Sequence, residues 1–571
     1  MGISPMQGHV SAVVLGGMLG LSCLSPVSAE PPKLILQITV DQLRGDLLTR
    51  YLDRMGEGGL RYLLDEGVVY LDAHHTHANT ETIVGHVTLA TGAQPAVHGM
   101  IGNAWFDRKK GRLVYNVEDD DFPILSADAG VDKEGEIDPT QKAAGTDGRS
   151  PRAILTSTFS DEMAIAYGEE AKIFGVSVKD RGAISMAGHA GKAFWFSKSG
   201  GEFITSSYYY DQYPDWVAAW NAEQLPLAYA DQTWDLLHDR ASYRNGDRDD
   251  LDYETDLPGF GRVFPHAYGP ADGKLFTTLL TLSPAGDALT VDFAKALVDA
   301  EEIGQDNVPD YLSVSLSCTD YVGHVFGPSS LEMEDQLLRL DLALADLLAF
   351  IDARIGLDET LIVLSADHGA AEPPGYLNEL GIPARTIDPA SWNKEPGLAR
   401  LRERFGLGEE LIAEYFHPYI YLDREAIAAS GFDQEEVERA VAEEVMLLPG
   451  IDFAISSSAL AKGDFPETPI IGSILNNANP HRSGDVFVVF EPHAFINDFD
   501  GLSVASHHGS PWSYDSFVPM IVAGHGLEPT TVARKIETVD LAPTLSAYLG
   551  IKPPSGADGN LLSEVLAAKR P

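Results

Sequence analysis

The chain has 571 residues, more than one compact domain usually holds, so a large core with insertions, or two to three domains, is expected. Its composition is globular, 44% hydrophobic and 9% aromatic, and a mean hydropathy of -0.07 excludes a multi-span membrane protein. Eighty-five acidic against 40 basic residues give a formal charge of -45. That balance disfavours nucleic acid as a partner, attracts cations and repels anions, so any phosphate site must carry its own positive charge.

Residues 1–29 read as a secretory signal peptide, and export to the periplasm or the medium is the expectation. Residues 10–24 form an apolar, small-residue run too short to span a bilayer comfortably. Pro26-Val27-Ser28-Ala29 then offers small residues to a peptidase cutting after Ala29, although no Lys or Arg precedes the apolar run. Cys23 is a poor lipid-anchor site because Gly20 stands where such sites usually place Leu. Cleavage leaves Cys318 as the remaining cysteine, so no intrachain disulfide can form and stability must come from the core or from metals. No later segment resembles a transmembrane helix.

Leu34–Val40 (LILQITV) is a short run of branched apolar residues and predicts a buried strand. Asp41 follows, then a helical pattern over 43–66. Strand, carboxylate, helix is the opening of an α/β unit, whose active site lies beyond the C-terminal ends of the strands. The same grammar recurs at 172–178, which ends at Lys179, at 311–317, which leads into Asp320, and at Thr360–Ser365, which leads into Asp367 and His368. Residues 485–490 and 518–523 read as further strands and 331–355 as a helix. The fold class implied is α/β, one large, mostly parallel sheet flanked by helices on both faces. Residues 30–189, 286–371 and 481–571 are assigned to this core. Residues 190–285, rich in Tyr, Trp, Asp and Gly, and residues 372–480 break the rhythm and read as insertions that form a cap beside the active site.

Four polar clusters stand at predicted strand ends: Asp41; Asp320 with His324; Asp367 with His368; and His508. Carboxylate and imidazole together suit zinc better than manganese or iron. Asp320 and His324 are four apart, on one face of a helical turn. Asp367 and His368 can meet one ion only if the backbone turns sharply, which Gly369 permits. Singly each cluster is weak, since an Asp after a strand is more often a helix N-cap; recurrence at one end of one sheet changes the odds. A hydroxyl nucleophile would come from Thr76, Thr80 or Thr82, in a stretch crowded with histidine, and chemistry alone does not choose among them. Metal activation is what would distinguish a nucleophile from an ordinary capping threonine. Lys179 and Arg181, alternate residues of a predicted extended segment, can face one anion, Arg as a bidentate fork and Lys as a point charge.

Taken together these motifs resemble the alkaline phosphatase superfamily, in its branch of bacterial phosphate-monoesterases with a threonine nucleophile, close to the nucleotide pyrophosphatase/phosphodiesterases. The similarity runs from the first strand to the tail. ITVDQLRGD supplies Asp41. THANTETIVGHVTLATG matches a pattern of Thr, His four later, then Thr-Gly, which selects Thr82. VHGMIGNAWFD supplies Asn103 and VSVKDRGAI supplies Lys179 and Arg181. CTDYVGHVFGP, LSADHGA and SHHGSPWSYDSFVPMIVAG supply the remaining ligands, and the position before Gly-Ser-Pro selects His508 over His507. The resemblance implies two zinc ions, one held by Asp320, His324 and His508, the other by Asp41, Asp367 and His368 with Thr82. It implies hydrolysis of small-molecule phosphate monoesters through a phosphothreonine, with Asn103, Lys179 and Arg181 on the phosphoryl oxygens. A phosphodiesterase or nucleotide pyrophosphatase with the same metals and nucleophile is the alternative. A sulfatase would need Cys or Ser at position 82, and a metal- or phosphate-binding protein would not need the complete set. Glu81 adds negative charge beside the nucleophile. The acidic loops at 247–256 and 118–121 suit calcium as a structural ion, although a solvated acidic surface explains such loops more often.

Overall fold

The computed structural model describes residues 1–2, 30–126, 128–407 and 411–567, so the predicted signal peptide lies, beyond its first two residues, outside the described residues. The elements that frame the site, in chain order, are β1 (Leu34–Val40), β2 (Val68–His74), α1 (Thr82–Thr91), β3 (Ile173–Ser177), α2 (Asp180–Ala187), β4 (Lys192–Ser197), β5 (Glu202–Ile204), β6 (Asp310–Leu316), α3 (Cys318–Phe326), α4 (Leu331–Arg354), β7 (Thr360–Ser365), β8 (Ile412–Phe416), β9 (Tyr419–Leu422), β10 (Ile451–Ser456), β11 (Val486–Phe490), β12 (Phe517–Gly524) and β13 (Thr530–Glu537).

Nine of these strands form one sheet in the order β13-β2-β12-β7-β1-β6-β3-β4-β5. Pairing is parallel except at β12, antiparallel to both neighbours, and at the edge strand β5. β1 sits in the middle with all seven residues buried, which explains its unbroken apolar run. Its even-numbered residues Leu34, Leu36, Ile38 and Val40 pack with α4 on one face, while Ile35 packs with Phe159, Leu541 and Leu545 on the other. Helices on both faces are as expected. Among the described residues no helix is long and apolar enough to cross a membrane.

Register carries the function. Thr39 pairs with Ser315 and Ser365, and Ser315 pairs with Ser177, so β7, β1, β6 and β3 are level near their C-terminal ends. Two residues beyond that row stand Asp367, Asp41 and Lys179. The chain after β6 turns into α3, which brings Asp320 to the same edge.

Three expectations need correction. The helical pattern over 43–66 is broken into short pieces, Leu47–Arg50, Leu52–Arg54 and Leu60–Glu66, because Gly56, Gly58 and Gly59 interrupt it. Residues 485–490 do form a strand, β11, but in a separate antiparallel sheet of order β8-β9-β11-β10 with its own apolar core, so 481–490 sit with the second insertion and not with the main sheet. Residues 192–204, assigned to the first insertion, supply β4 and β5 of the large sheet; their aromatic run KAFWFS hid the strand. The rest of that insertion is tied to the start of α4: Asp335 accepts from Trp234 Nε1 at 2.6 Å and Leu237 N at 2.7 Å, and Glu334 accepts from Arg244 N at 2.8 Å.

α1 reaches the sheet edge because Gly85 lacks a side chain. A Cβ there would fall 2.6 Å from the carbonyl carbon of Asp367. Gly85→Ala should therefore push α1 off β7 and cost about 2 kcal/mol, read as a lowered thermal midpoint; an unchanged midpoint would mean that this close approach is not a constraint.

Candidate active site and metal centre

Asp41 directly follows β1, and the next residue, Gln42, adopts left-handed backbone at φ 65, uncommon for a residue with a side chain. The turn is held by two hydrogen bonds to buried carboxylates: Gln42 N donates to Asp367 Oδ1 at 3.0 Å and Gln42 Nε2 to Asp320 Oδ1 at 2.8 Å. Gly323 on α3 makes room, since a Cβ there would lie 2.8 Å from Gln42 Cδ. The chain also bends at Asp367, just past β7, so Asp367 and His368 converge as expected, without Gly369 taking up left-handed backbone. Gly369 allows a close approach: its N donates to Asp515 O at 2.7 Å, and a Cβ would collide with the Tyr514 backbone.

The metal-type residues converge. On α3, His324 Nε2 lies 3.2 Å from Asp320 Oδ1, and His508 Nε2 lies 3.5 Å from the same oxygen. His368 Nε2 lies 3.5 Å from both Asp41 Oδ1 and Asp367 Oδ2. Each histidine donates its Nδ1–H to a backbone carbonyl: His324 to Ser506 at 2.9 Å, His368 to Gly369 at 3.0 Å and His508 to Thr80 at 2.8 Å. That choice of tautomer leaves every Nε2 lone pair facing the carboxylates, the arrangement metal-binding histidines use. Burial lowers the pKa of His368 and His508, favouring the neutral, ligating form. Three groups of ligand atoms lie within 4.8 Å of one another: Asp41, Asp367 and His368; Asp320, His368 and His508; and His324, His507 and His508. His507, passed over on the motif, therefore stands beside the set.

A metal fits these residues on two counts. Asp41 Oδ1 and His368 Nε2 are buried and make no hydrogen bond. And three buried carboxylates, Asp41, Asp320 and Asp367, meet a single ammonium, Lys179, whose Nζ pairs with Asp320 and lies 2.7 Å from Asp41 Oδ2. Burial, with Asp367 adding to it, pushes Asp41 well above the usual carboxylate range. Burial also pulls Asp320 upward, but Lys179 and His324 outweigh it and hold Asp320 well below that range. Buried negative charge of this density calls for cations, and mixed nitrogen and oxygen donors suit zinc.

The three threonines separate. Thr76 Oγ1 is engaged with Glu537 and Gln94, and Thr80 Oγ1 donates to Ser510 O at 2.9 Å and accepts from Gly509 N at 3.2 Å. Thr82 opens α1, and its Oγ1 lies 3.4 Å from Arg181 Nη2. His86, one turn on, has Nδ1 2.9 Å from Thr82 O and 3.0 Å from Asp367 Oδ2, and Nε2 2.9 Å from Ser315 Oγ, so it ties α1 to the strand ends. Asn103 Oδ1 accepts from Ile83 N at 3.1 Å. Glu81 turns aside to hold this loop: its Oε2 accepts from Asn103 N at 2.6 Å and Asn79 Nδ2 at 3.1 Å, and burial pushes its carboxyl up to about 7.

Lys179 and Arg181 do not share an extended segment. Lys179 caps α2 and Arg181 lies in its first turn. Arg181 Nη1 is anchored on Asp138 Oδ2 at 2.8 Å. Asp138 and Gln42 are site residues that sequence reasoning missed. Gln42 is adjacent to Asp41 and could have been suspected; Asp138 sits in a loop with no motif and meets Arg181 only through the fold.

The site opens into a cavity of about 690 Å³. Asn103, Arg181, Asp320, His324 and His508 reach it from the core, and its walls come from residues 386–417 and 496–508. Among the described residues none of 190–285 lines it, whereas residues 386–390, Asn393 and residues 412–417 of the second insertion do. The acidic loops are divided: Glu118 pairs with Arg112 at 2.6 Å, Asp121 with Arg152 at 2.7 Å, Asp249 with Arg240 at 2.7 Å and Asp250 with Arg262 at 2.8 Å, whereas Asp252, Glu254 and Asp256 line a separate small cavity and Glu254 Oε1 is buried without a hydrogen bond.

Comparison with known proteins agrees with this architecture. The family model described as "Type I phosphodiesterase / nucleotide pyrophosphatase" matches residues 35–511. The chain is 33% identical over 572 residues to "Alkaline phosphatase PafA" of Elizabethkingia meningoseptica, covering 99% of this chain and 100% of that one. It is 33% identical over 552 residues to "Alkaline phosphatase PhoV" of Synechococcus elongatus, covering 95% and 94%. The crystal structure of wild-type alkaline phosphatase PafA superposes with a TM-score of 0.85 at 32% identity, covering 94% of this chain and 99% of that one. With the matched span running through the strand-end carboxylates and histidines and full-length relatives at this identity, the chain belongs to the type I phosphodiesterase / nucleotide pyrophosphatase family.

Proposed function

We propose that the protein is an exported alkaline phosphatase that hydrolyses phosphate monoesters through a phosphothreonine on Thr82. The observation that carries this is the meeting of Thr82, Arg181 and Lys179 with buried carboxylates and imidazoles whose donors face one another. Asp320, His324 and His508 would hold one zinc ion, and Asp41, Asp367 and His368, with Thr82, the other. When bound, such a pair supplies a Lewis-acid field that favours the Thr82 alkoxide and the departing ester oxygen.

The chain's own residues do the rest. α1 points its N-terminus, and the positive end of its dipole, at the phosphoryl group. The Thr82 hydroxyl proton passes to water and Oγ1 attacks phosphorus in line; the ester P–O bond breaks and the departing alkoxide takes a proton from water to leave as the alcohol. Water then cleaves the phosphothreonine, releasing phosphate and restoring the hydroxyl. Arg181, fixed by Asp138, stabilises the phosphoryl oxygens from the Thr82 side, Lys179 does so above Asp41 and Asp320, and Asn103 contributes its amide. His86 holds Thr82 and Asp367 in one frame. The export reading rests on residues 1–29. Residues 372–490 are read as the cap.

The family match also favours a second reading, a phosphodiesterase with the same metals and nucleophile. A dianionic monoester presents one more charged oxygen than a diester, and the buried Lys179 and Arg181 suit that oxygen.

Thr82→Ala should lower kcat by about 10³ or more and abolish acid-trapped phosphoenzyme; a phosphoenzyme on another residue would refute Thr82. Lys179→Ala/Arg181→Ala should lower aryl monoester turnover at least about a hundredfold more than aryl diester turnover; a wild type that prefers the diester, with a double variant indifferent to the change, would favour the diesterase. Metal analysis of the purified protein should find about two zinc ions per chain, and dialysis against a chelator should remove hydrolysis, with zinc restoring it; hydrolysis that survives complete metal removal would end the two-metal reading.

A further inference from the structure

The floor of the cavity is committed to the phosphoryl group, but most of its wall is not. Beyond Arg181 and Asp320, apolar side chains line it from two sides: Ile412, Tyr415 and Phe416 from the second insertion, and Phe499, Leu502 and Val504 from the segment before His508. Three carboxylates share this wall, Asp388, Glu414 and Asp498, the first and last exposed and Glu414 half-buried. Each is held by a backbone N–H and not by a cation: Asp388 Oδ1 accepts from Ala390 N at 3.1 Å, Glu414 Oε1 from Tyr415 N at 3.1 Å and Asp498 Oδ1 from Gly501 N at 2.6 Å. Their charges are therefore not neutralised by those contacts. Among the described lining residues Arg181 is the one Arg or Lys, and its guanidinium is spent on Asp138 and on the Thr82 oxygen. Lys142, close by, is taken by Asp500 at 3.3 Å.

In this enzyme class the alcohol of the ester must lie on the open side of phosphorus, opposite Thr82, because attack is in line; here that side opens into the cavity. We infer that the wall selects phosphate monoesters whose alcohol has an apolar body and carries no negative charge, neutral or cationic, and rejects alcohols bearing a further carboxylate or phosphate. The inference rests on the phosphatase reading. An anionic alcohol would meet three carboxylates with no cation to receive it, whereas aromatic faces at Tyr415, Phe416 and Phe499 accept both neutral carbon and an ammonium group.

The test compares kcat/KM of the metal-loaded protein for propyl phosphate, choline phosphate and 2-carboxyethyl phosphate at low ionic strength. The carboxylate ester should be about tenfold or more the poorest, and the gap should shrink as salt screens the wall. Asp388→Asn/Glu414→Gln/Asp498→Asn keeps side chains that still accept those backbone N–H groups, and should narrow the gap while leaving propyl phosphate turnover within about twofold. Equal or better turnover of the carboxylate ester overturns the inference, as does a gap that neither salt nor the triple variant changes; if the variant does not fold, the salt dependence of the wild type decides. Failure to hydrolyse any of the three esters would instead strike the phosphatase reading itself.

Discussion

The structure turns on one electrostatic constraint: three carboxylates, Asp41, Asp320 and Asp367, are buried together at one edge of a parallel sheet, with one lysine among them. Carboxylates so placed repel one another and lose their water, a costly arrangement unless positive charge completes it. Much of the surrounding architecture serves to hold them in place. Gln42 adopts an uncommon backbone conformation to bond two of them, and three histidines anchor their Nδ1 atoms on carbonyls so that Nε2 points inward. A protein with a formal charge of -45 concentrates still more negative charge at its centre, which makes sense if that centre is built to take up cations and, through them, an anion.

On the proposed phosphatase reading, substrate recognition is divided between two bodies of the fold. The large sheet would supply the phosphoryl end, because strand ends and helix N-termini aim backbone N–H groups and short polar side chains at one edge. The second insertion has its own sheet and its own apolar core, from Ile387 to Ala494, and supplies wall rather than chemistry. The first insertion is instead absorbed into the body of the protein, its aromatic residues in the main core and its loops held by Glu334 and Asp335 at the start of α4. Two segments with similar loss of βα rhythm thus serve different purposes.

The errors of the sequence reading have identifiable causes. KAFWFS lacks the branched residues that announced β1, so β4 went unseen and its neighbour β5 with it. DVFVVF reads like β1, yet it pairs with β9 and β10, because an apolar run predicts a strand without saying which sheet receives it. Glycines at 56, 58 and 59 broke a helix that the apolar pattern alone would have continued. Lys179 and Arg181 were grouped on a two-residue alternation proper to a strand, whereas the chain had already entered α2; both face the site, but through different geometry.

What the sequence by itself determined was local: which runs become strands, that carboxylates and imidazoles follow them, and that the motifs resemble one family of hydrolases. Those properties depend on residue type and short spacing, which the chain carries openly. What only the tertiary structure decided was contact across distance. Register levels β7, β1, β6 and β3 so that residues as far apart as Asp41 and Asp367 meet, Asp138 finds Arg181, and Thr80 is consumed by Ser510 while Thr82 faces the cation. Such pairings follow from how sheet and helices pack, and packing is a property of the whole chain rather than of any segment.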